Sequence, residues 1–487
     1  MAPQTSGIEF YERDESGRIT ATATYVPGEG GDGIKVIVPE RSRGGRARGG
    51  DYLWDLVNVF LPAGYPASVS EDYIGYQIYD SLQAFSSSIA GLLSSRAVLE
   101  GFGVGDANAS ATGALLLTIA QDCVGRLATI LFAHRFGPAL EAETKRYRLA
   151  ADVFNDSAMI LDCLSPAFPR SVRILMLCCS GSLRAACGVA GGGSKASLSV
   201  HFARSGNVGE LNAKDSSQET VIGLMGMLAG SFVVSRISST WATWLSLTLL
   251  LAVHLGTNFK AVTAVALRTL NRQRANLVCS DFFDTGKILT PRQAARRERI
   301  FEKDGVLRWG GSRVFGNAEI GVRLAALIRS LRQSPGRKKG GEEGVGLAEL
   351  ASVFQNEKYL LWYDAQRCLV TICLKEKVSP EEQLKSWVHA LVLAREIRHR
   401  WPKGGVDNSN GPSQQALLDT VRKTLDDIGM SFTPMLQRLR EAGWDLGVAV
   451  LETVPGYRVG ACSIEIKGAG KCRDDTTAKG GETKKEI

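Results

Sequence analysis

The chain has 487 residues, of which 44% are apolar and 22% charged, and it carries a net charge of +8. That balance excludes a disordered chain and a coiled coil, and the length allows two to four domains. The basic excess is clustered at Arg41–Arg48, Arg292–Arg299, Arg337–Lys339 and Arg395–Arg400, which suits solvated faces or an anionic lipid surface. Nucleic acid is excluded as the weaker partner, because no helix-turn-helix, zinc finger, RNP motif or aromatic-interleaved basic sheet is present.

None of the ten cysteines forms Cys-x-x-Cys, and several lie in apolar helical text. They read as small buried hydrophobes in a reducing setting, not as a disulfide framework or a zinc site. The N-terminus is polar and acidic, without the apolar core of a secretory signal.

Taken in order, residues 8–38 alternate like short strands and Arg41–Gly50 is a Gly/Arg linker. A rigid Leu61-Pro62-Ala63-Gly64-Tyr65-Pro66 turn precedes six helical stretches, expected at roughly 70–99, 107–136, 140–164, 170–192, 217–235 and 238–268. The Gly-x-Gly-x-Gly at 101–105 follows a helix, not a strand, so a dinucleotide site is ruled out. Asp122 and Arg126 interrupt apolar text four residues apart; they share a helix face and suit a pair turned toward protein or a cavity. Asp152, Asn155 and Asp156 share a face of the next helix, fit either to bind a cation or amine or to pack against a neighbour. Ser165-Pro166-Ala167-Phe168-Pro169 ends that helix.

Ile237–Phe259 runs 23 residues without Asp, Glu, Lys or Arg. That is long enough to cross a bilayer, with Trp241, Trp244 and Lys260 suited to the two interfaces; a buried helix of a soluble bundle reads the same way. Gly188 with Gly192, and Gly226 with Gly230, are small-xxx-small pairs that let helices approach closely.

Between two apolar stretches lies a polar island over residues 188–220. It holds Gly191, Gly192, Gly193, Lys195, His201, Arg204, Lys214 and Gln218. One reading is a glycine loop whose N–H groups and lysines hold a small anion; the other is a water-facing loop that caps two helices. It lacks the Walker spacing of a P-loop.

Beyond about 271 the text becomes soluble in character. A short basic helix opens at Thr290-Pro291, and Ser334–Gly346 reads as a linker. Lys358–Tyr363 and Cys368–Lys375 suggest a hairpin, and a capped helix runs from Ser379 to about Trp401. Ser413–Gly443 suggests a helix broken near Pro434, and Val448–Val454 and Tyr457–Ile466 suggest strand. The expected architecture is therefore mainly α. It divides into N-terminal strands and linker (1–50), a polytopic bundle of about six long helices (51–275), a basic connector (276–346), a C-terminal α+β domain (347–466) and a disordered tail (467–487).

A series of separated motifs in order resembles one known family. They are Phe60-Leu61-Pro62-Ala63-Gly64-Tyr65-Pro66, Tyr73…Tyr76-Gln77…Asp80-Ser81-Leu82-Gln83-Ala84, Arg148-Leu149-Ala150-Ala151-Asp152…Asn155-Asp156…Met159, Ser165-Pro166…Phe168-Pro169, Val189-Ala190-Gly191-Gly192, His201-Phe202-Ala203 and Ala213-Lys214-Asp215-Ser216-Ser217-Gln218-Glu219-Thr220. Over residues 50–300 the chain resembles the root UVB sensitive (RUS) family. The resemblance implies a membrane-associated protein. In plants it implies links to root UV-B response, early seedling development, auxin transport and vitamin B6 homeostasis, with no agreed activity or catalytic residue. Where the family more often has Gly-Gly-Ala-Thr-Arg, this chain has Gly192-Gly193-Ser194-Lys195, and an ammonium does not reproduce a planar bidentate contact. The family's Asp-Val-Ser-Ala-Lys is here Glu210-Leu211-Asn212-Ala213-Lys214, which keeps the lysine.

The expected function is non-enzymatic: a membrane protein that binds or moves a small anionic molecule, vitamin B6 phosphate being a candidate through the family link. The alternatives are a membrane-anchored adaptor acting through its C-terminal domain, and an enzyme using Lys195 or Lys214 as a Schiff-base lysine. No other catalytic constellation stands out, His254 reads as a packed residue, and no cofactor can be named. Expected partners are membrane lipid, the anionic ligand, and a second copy or another family member in an oligomer.

Overall fold

A computed structural model describes residues 8–13, 19–25, 34–37, 59–102, 111–333, 345–402 and 412–460. Strands β1 (Ile8–Arg13), β2 (Ile19–Tyr25) and β3 (Ile34–Ile37) pair antiparallel in that order, as the alternation predicts. The Gly/Arg linker and the tail lie outside the described residues.

Six long helices follow. They are α1 (Tyr73–Phe102), α2 (Ala111–Ala142), α3 (Thr144–Leu164), α4 (Arg170–Phe202), α5 (Val208–Arg236) and α6 (Thr240–Ala264). The proline-rich stop falls where expected, as a 3-10 turn over Ser165–Ala167 before Pro169 opens α4. Ser239 caps α6 by accepting from the Ala242 N–H at 3.2 Å. α1 packs on α5, α6 and α3, α3 packs on α4 and α6, and α2 lies against α4.

The glycine run is the first correction. Gly191, Gly192, Gly193 and Lys195 are not in a loop; α4 continues through them to Phe202. Their N–H groups lie inside a helix and present no anion cradle. The glycines serve packing instead: a methyl group on Gly193 would meet Leu140 Cδ1 at 2.5 Å. On α5, a methyl on Gly226 would lie 2.6 Å from Ser88 Cβ, and one on Gly230 3.2 Å from Ile89 Cα. Close approach of α5 to α1 therefore requires both.

Four of the six helices, α2, α4, α5 and α6, are long and apolar enough to cross a membrane, and only 6% to 33% of each apolar window is buried. Leu131, Leu175, Leu228, Phe232, Leu245 and Leu249 stand on this exposed skin. Asp122 and Arg126 are the second correction. Both lie on the exposed side of α2, and no ion pair joins them. The face of α2 that meets α4 is built on Gln121 and Gly125. Each charged residue is one position further on, turned about 100° round the helix.

The C-terminal unit begins earlier than expected. Part of the presumed connector supplies α7 (Arg272–Thr285), α8 (Pro291–Ala295), β4 (Val306–Trp309), β5 (Arg313–Ile320) and α9 (Leu324–Gln333). Then come α10 (Leu347–Val353), β6 (Tyr359–Asp364), β7 (Leu369–Lys375), α11 (Pro380–Arg400), α12 (Gln414–Glu441) and β8 (Arg458–Val459). The sheet order is β4-β5-β7-β6, with β8 beside β7 and β5 parallel to β7. The expected hairpin is β6–β7; Asp364 Oδ1 closes its turn by accepting from the Gln366 and Arg367 N–H groups. α11 opens on a Ser379–Glu382 capping box. α12 runs unbroken through Pro434, and of the expected later strands only β8 forms; residues 461–466 lie outside the described set. One apolar core, from Leu270 to Leu451, joins sheet and helices.

Substituting leucine for Gly230 forces α5 off α1. An overpacked interface costs about 1–3 kcal/mol, so Gly230→Leu is expected to lower the melting temperature in detergent. Gly223→Leu, at a position with open space, leaves it unchanged and serves as the control.

A pH prediction follows from His389, buried between Tyr359 Oη and Thr424 Oγ1 at 3.0 Å each. Thr424 donates to backbone carbonyls, so its oxygen accepts from Nε2–H and the ring is neutral. Burial pushes the imidazole down to about 3. The unfolded imidazole takes a proton below about 6.5, so the stability present above that pH is lost as pH falls toward about 3. The slope approaches ~1.4 kcal/mol per pH unit. Denaturant titrations read by Trp362 and Trp387 fluorescence are expected to show this slope, and His389→Gln is expected to flatten it.

Candidate functional site

Three helices aim polar side chains into the middle of the bundle. On α1, Gln77, Asp80 and Gln83 recur every third residue; on α3, Arg148, Asp152 and Asp156 recur every fourth; on α6, His254 and Asn258 are four apart. These spacings place each set on one helix face. Arg148 joins the sets. Its guanidinium reaches Asp80 at 2.6 Å and Asp152 at 3.4 Å, and its Nε donates to Tyr76 Oη at 3.0 Å.

His254 is bound on both sides. Gln83 Oε1 accepts from Arg148 at 3.4 Å, which turns the Gln83 amide nitrogen toward His254 Nε2 at 2.9 Å. Nε2 is therefore the acceptor, and Nδ1–H donates to Asp156 Oδ1 at 2.6 Å. Asn258 donates to Asp152 Oδ2. Among the described residues, Asp156 Oδ2 and Asn258 Oδ1, both buried, have no hydrogen-bond partner. Of the predicted trio, Asp152 and Asp156 enter this network; Asn155 is half-buried and donates to Ser87 Oγ at 3.3 Å. Further along the body, Arg184 pairs with the buried Asp162.

The island residues are not one site. Lys195 sits between Asp215 at 2.6 Å and Glu219 at 2.7 Å, while Gln77 donates to Asp215 at 2.7 Å. Asp80, Asp215 and Glu219 bring carboxylate oxygens within 4.8 Å of one another, a spacing able to hold a cation, and the Lys195 ammonium already contacts two of the three. His201 Nε2 lies 2.9 Å from Asp72, which also accepts from the Ala266 N–H. Lys214 and Gln218 bind the Val59 and Phe60 carbonyls at 2.6 Å each, tying down the chain before α1. Arg204 is exposed in the turn after α4, where its N–H binds the Ser68 carbonyl.

Where the bundle meets the C-terminal unit, Glu298 is clasped by Lys145 at 2.7 Å and Arg274 at 2.8 Å, all three nearly free of solvent. Burial alone would raise the Glu298 carboxyl; Arg274 and Lys145 outweigh it and hold it below the usual carboxylate range. Burial pushes the neighbouring Glu143 up to about 7, opposed by Arg274. Beside this clasp is a cavity of about 340 Å³, lined by Thr144, Gly193, Ser197, His201, Arg268 and Thr269 among others. Glu141 and Asp445 add acid to its wall, and no hydrogen bond or ion pair engages the Arg268 guanidinium among the described residues. Arg268, Asp80, Arg148, His254 and Asn258 were missed as site residues. The three-residue recurrence on α1 was the available signal for Asp80; Arg268 follows α6 as a lone base in apolar text.

The chain matches two family models. One is described as a vitamin B6 photo-protection and homoeostasis domain, over residues 49–286, and the other as the C-terminal domain of root UVB sensitive proteins, over residues 287–454. It is 35% identical over 349 residues to protein root UVB sensitive 3 of Arabidopsis thaliana, covering 71% of this chain and 76% of that one. It is 41% identical over 249 residues to RUS family member 1 of Dictyostelium discoideum, covering 50% and 47% of the two chains. The chloroplastic protein root UVB sensitive 2 of Arabidopsis thaliana is 27% identical, with 80% and 81% covered. No solved structure matches. On these matches the chain belongs to the root UVB sensitive family.

Proposed function

We propose that the chain is a membrane-embedded carrier or receptor for a small anionic molecule, and that the ligand site is the cavity at the seam. The skin of α2, α4, α5 and α6 suits lipid apart from charged positions such as Asp122 and Arg126 on α2, and Asp80, Arg148, Asp152 and Asp156 face inward, the arrangement expected when ionisable groups serve a function inside a bilayer. The observation that carries the reading is the cavity itself. About 340 Å³ fits a small molecule, three hydroxyl-bearing residues line it, and Arg268 offers a guanidinium that nothing else among the described residues engages. The island lysines are less suited, since Lys195 and Lys214 are already bound.

The description of the matched family model makes a B6 phosphate ester the first ligand to try. The adaptor reading is weaker. The C-terminal unit is locked to the bundle through Lys145, Glu298 and Arg274, so it completes the cavity rather than hanging free as a recruiting arm.

Isothermal titration of the detergent-purified chain with pyridoxal phosphate tests this. Loss of a charge-assisted hydrogen bond costs about 1.5–3 kcal/mol, so Arg268→Ala is expected to weaken binding about 10- to 100-fold, while Lys195→Ala with Lys214→Ala leaves it nearly unchanged. Equal binding by Arg268→Ala, or no heat with pyridoxal phosphate, pyridoxamine phosphate or inorganic phosphate, contradicts the site.

A further inference from the structure

The interior is short of positive charge. From α1 it is faced by Tyr76 and Asp80, from α3 by Arg148, Asp152 and Asp156, from α4 by Cys187 and Lys195, from α5 by Asp215, and from α6 by His254. Four of these are buried carboxylates, and only Arg148 and Lys195 are permanent cations. His254, held by the Gln83 amide, is neutral. Uncompensated carboxylates do not stay ionised in a low-dielectric interior.

The place of the missing charge is marked by two orphaned atoms, Asp156 Oδ2 and Asn258 Oδ1, on residues 3% and 0% exposed. Both are acceptors. They are linked through Asp152 and His254: Asn258 donates to Asp152 Oδ2, which lies 3.6 Å from His254 Nε2, and Asp156 holds His254 Nδ1. A neutral donor such as water would satisfy the oxygens and leave the charge deficit. A third orphan, Asp162 Oδ1, belongs to a carboxylate already paired with Arg184 and is not part of the deficit.

We infer that Asp152, Asp156 and Asn258 form a site for a small monovalent cation, a proton or an alkali ion, at the centre of the helical body. The site is independent of the anion reading and its test uses no anionic ligand. As a proton site, Asp156 Oδ2 takes the proton and becomes a donor, with His254 Nδ1–H still on Oδ1. As an alkali site, the two orphaned oxygens and Asp152 supply ligands of the hard-oxygen type such ions take.

The test uses the full chain in phosphatidylcholine nanodiscs. Thermal unfolding is followed from about pH 5 to about pH 9 in choline chloride, then with sodium, lithium or potassium chloride, and infrared spectra record the carbonyl stretch of protonated carboxyls. A proton site gives a protonated-carboxyl component at neutral pH in choline, beside that of Glu143, that is lost in the difference between the unmodified chain and Asp156→Asn. An alkali site gives a melting temperature that rises with one alkali ion at alkaline pH, an effect Asp156→Asn abolishes. That variant removes an unmatched charge, so it is expected to melt at or above the wild-type temperature in alkaline choline. Should it fail to fold, Asn258→Leu keeps the carboxylate and removes the second acceptor, and the alkali protection or the band's pH dependence must change there. No Asp156-dependent band and no alkali effect in the unmodified chain overturns the inference, as does an alkali effect that survives both substitutions.

Discussion

A guanidinium cannot shed its charge, so wherever Arg148 is buried, carboxylates must follow it. Its side chain is 11% exposed, and it meets Asp80 from one helix and Asp152 from its own. This clasp fixes the register of α1 against α3. Once those two helices are set, Gln83, His254, Asp156 and Asn258 fall into contact. The remaining helices then have one face to cover the charged centre and another free to be apolar.

The same logic explains the glycines. Apolar helices with little between them bury area only by coming close, and Gly193, Gly226 and Gly230 remove the side chains that would hold them apart. The C-terminal unit meets the bundle through buried charge beside a small apolar patch of Leu149, Val262 and Ile300. Lys145 belongs to α3, Arg274 to α7 and Glu298 to the chain beyond α8. Removing Glu298 leaves two unmatched cations at the seam, so this one carboxylate ties the two halves together beside the cavity.

Much of the bundle was legible in the chain. Long charge-poor runs, the shared face of Asp152, Asn155 and Asp156 and the Pro166–Pro169 stop placed six helices, although α4 runs on past residue 192 to Phe202 and α5 starts at Val208 rather than near 217; Ser379-Pro380-Glu381-Glu382 located α11. The glycine run was misread because Gly191-Gly192-Gly193 has low helix propensity, and tertiary contact with α2 and α3 overrides it. β4 is four residues long and β5 is interrupted by Gly316, so neither shows a strand period strong enough to stand out from a linker. The buried site was only half visible. Asp152 and Asp156 share a helix face by spacing alone, but nothing local tells His254 from a packed residue; its role appears only when α1 and α3 bring Gln83 and Asp156 to its two nitrogens.

The account rests on a helical body seated in lipid, mostly apolar outside despite Asp122 and Arg126 on α2, and charged within. Extraction of membranes from expressing cells, with alkaline carbonate and with detergent side by side, tests that most directly. The account predicts that the chain stays with the membrane pellet in carbonate and enters solution only with detergent. Release by alkali alone would show that the skin of α2, α4, α5 and α6 is not held in a bilayer, and would contradict it.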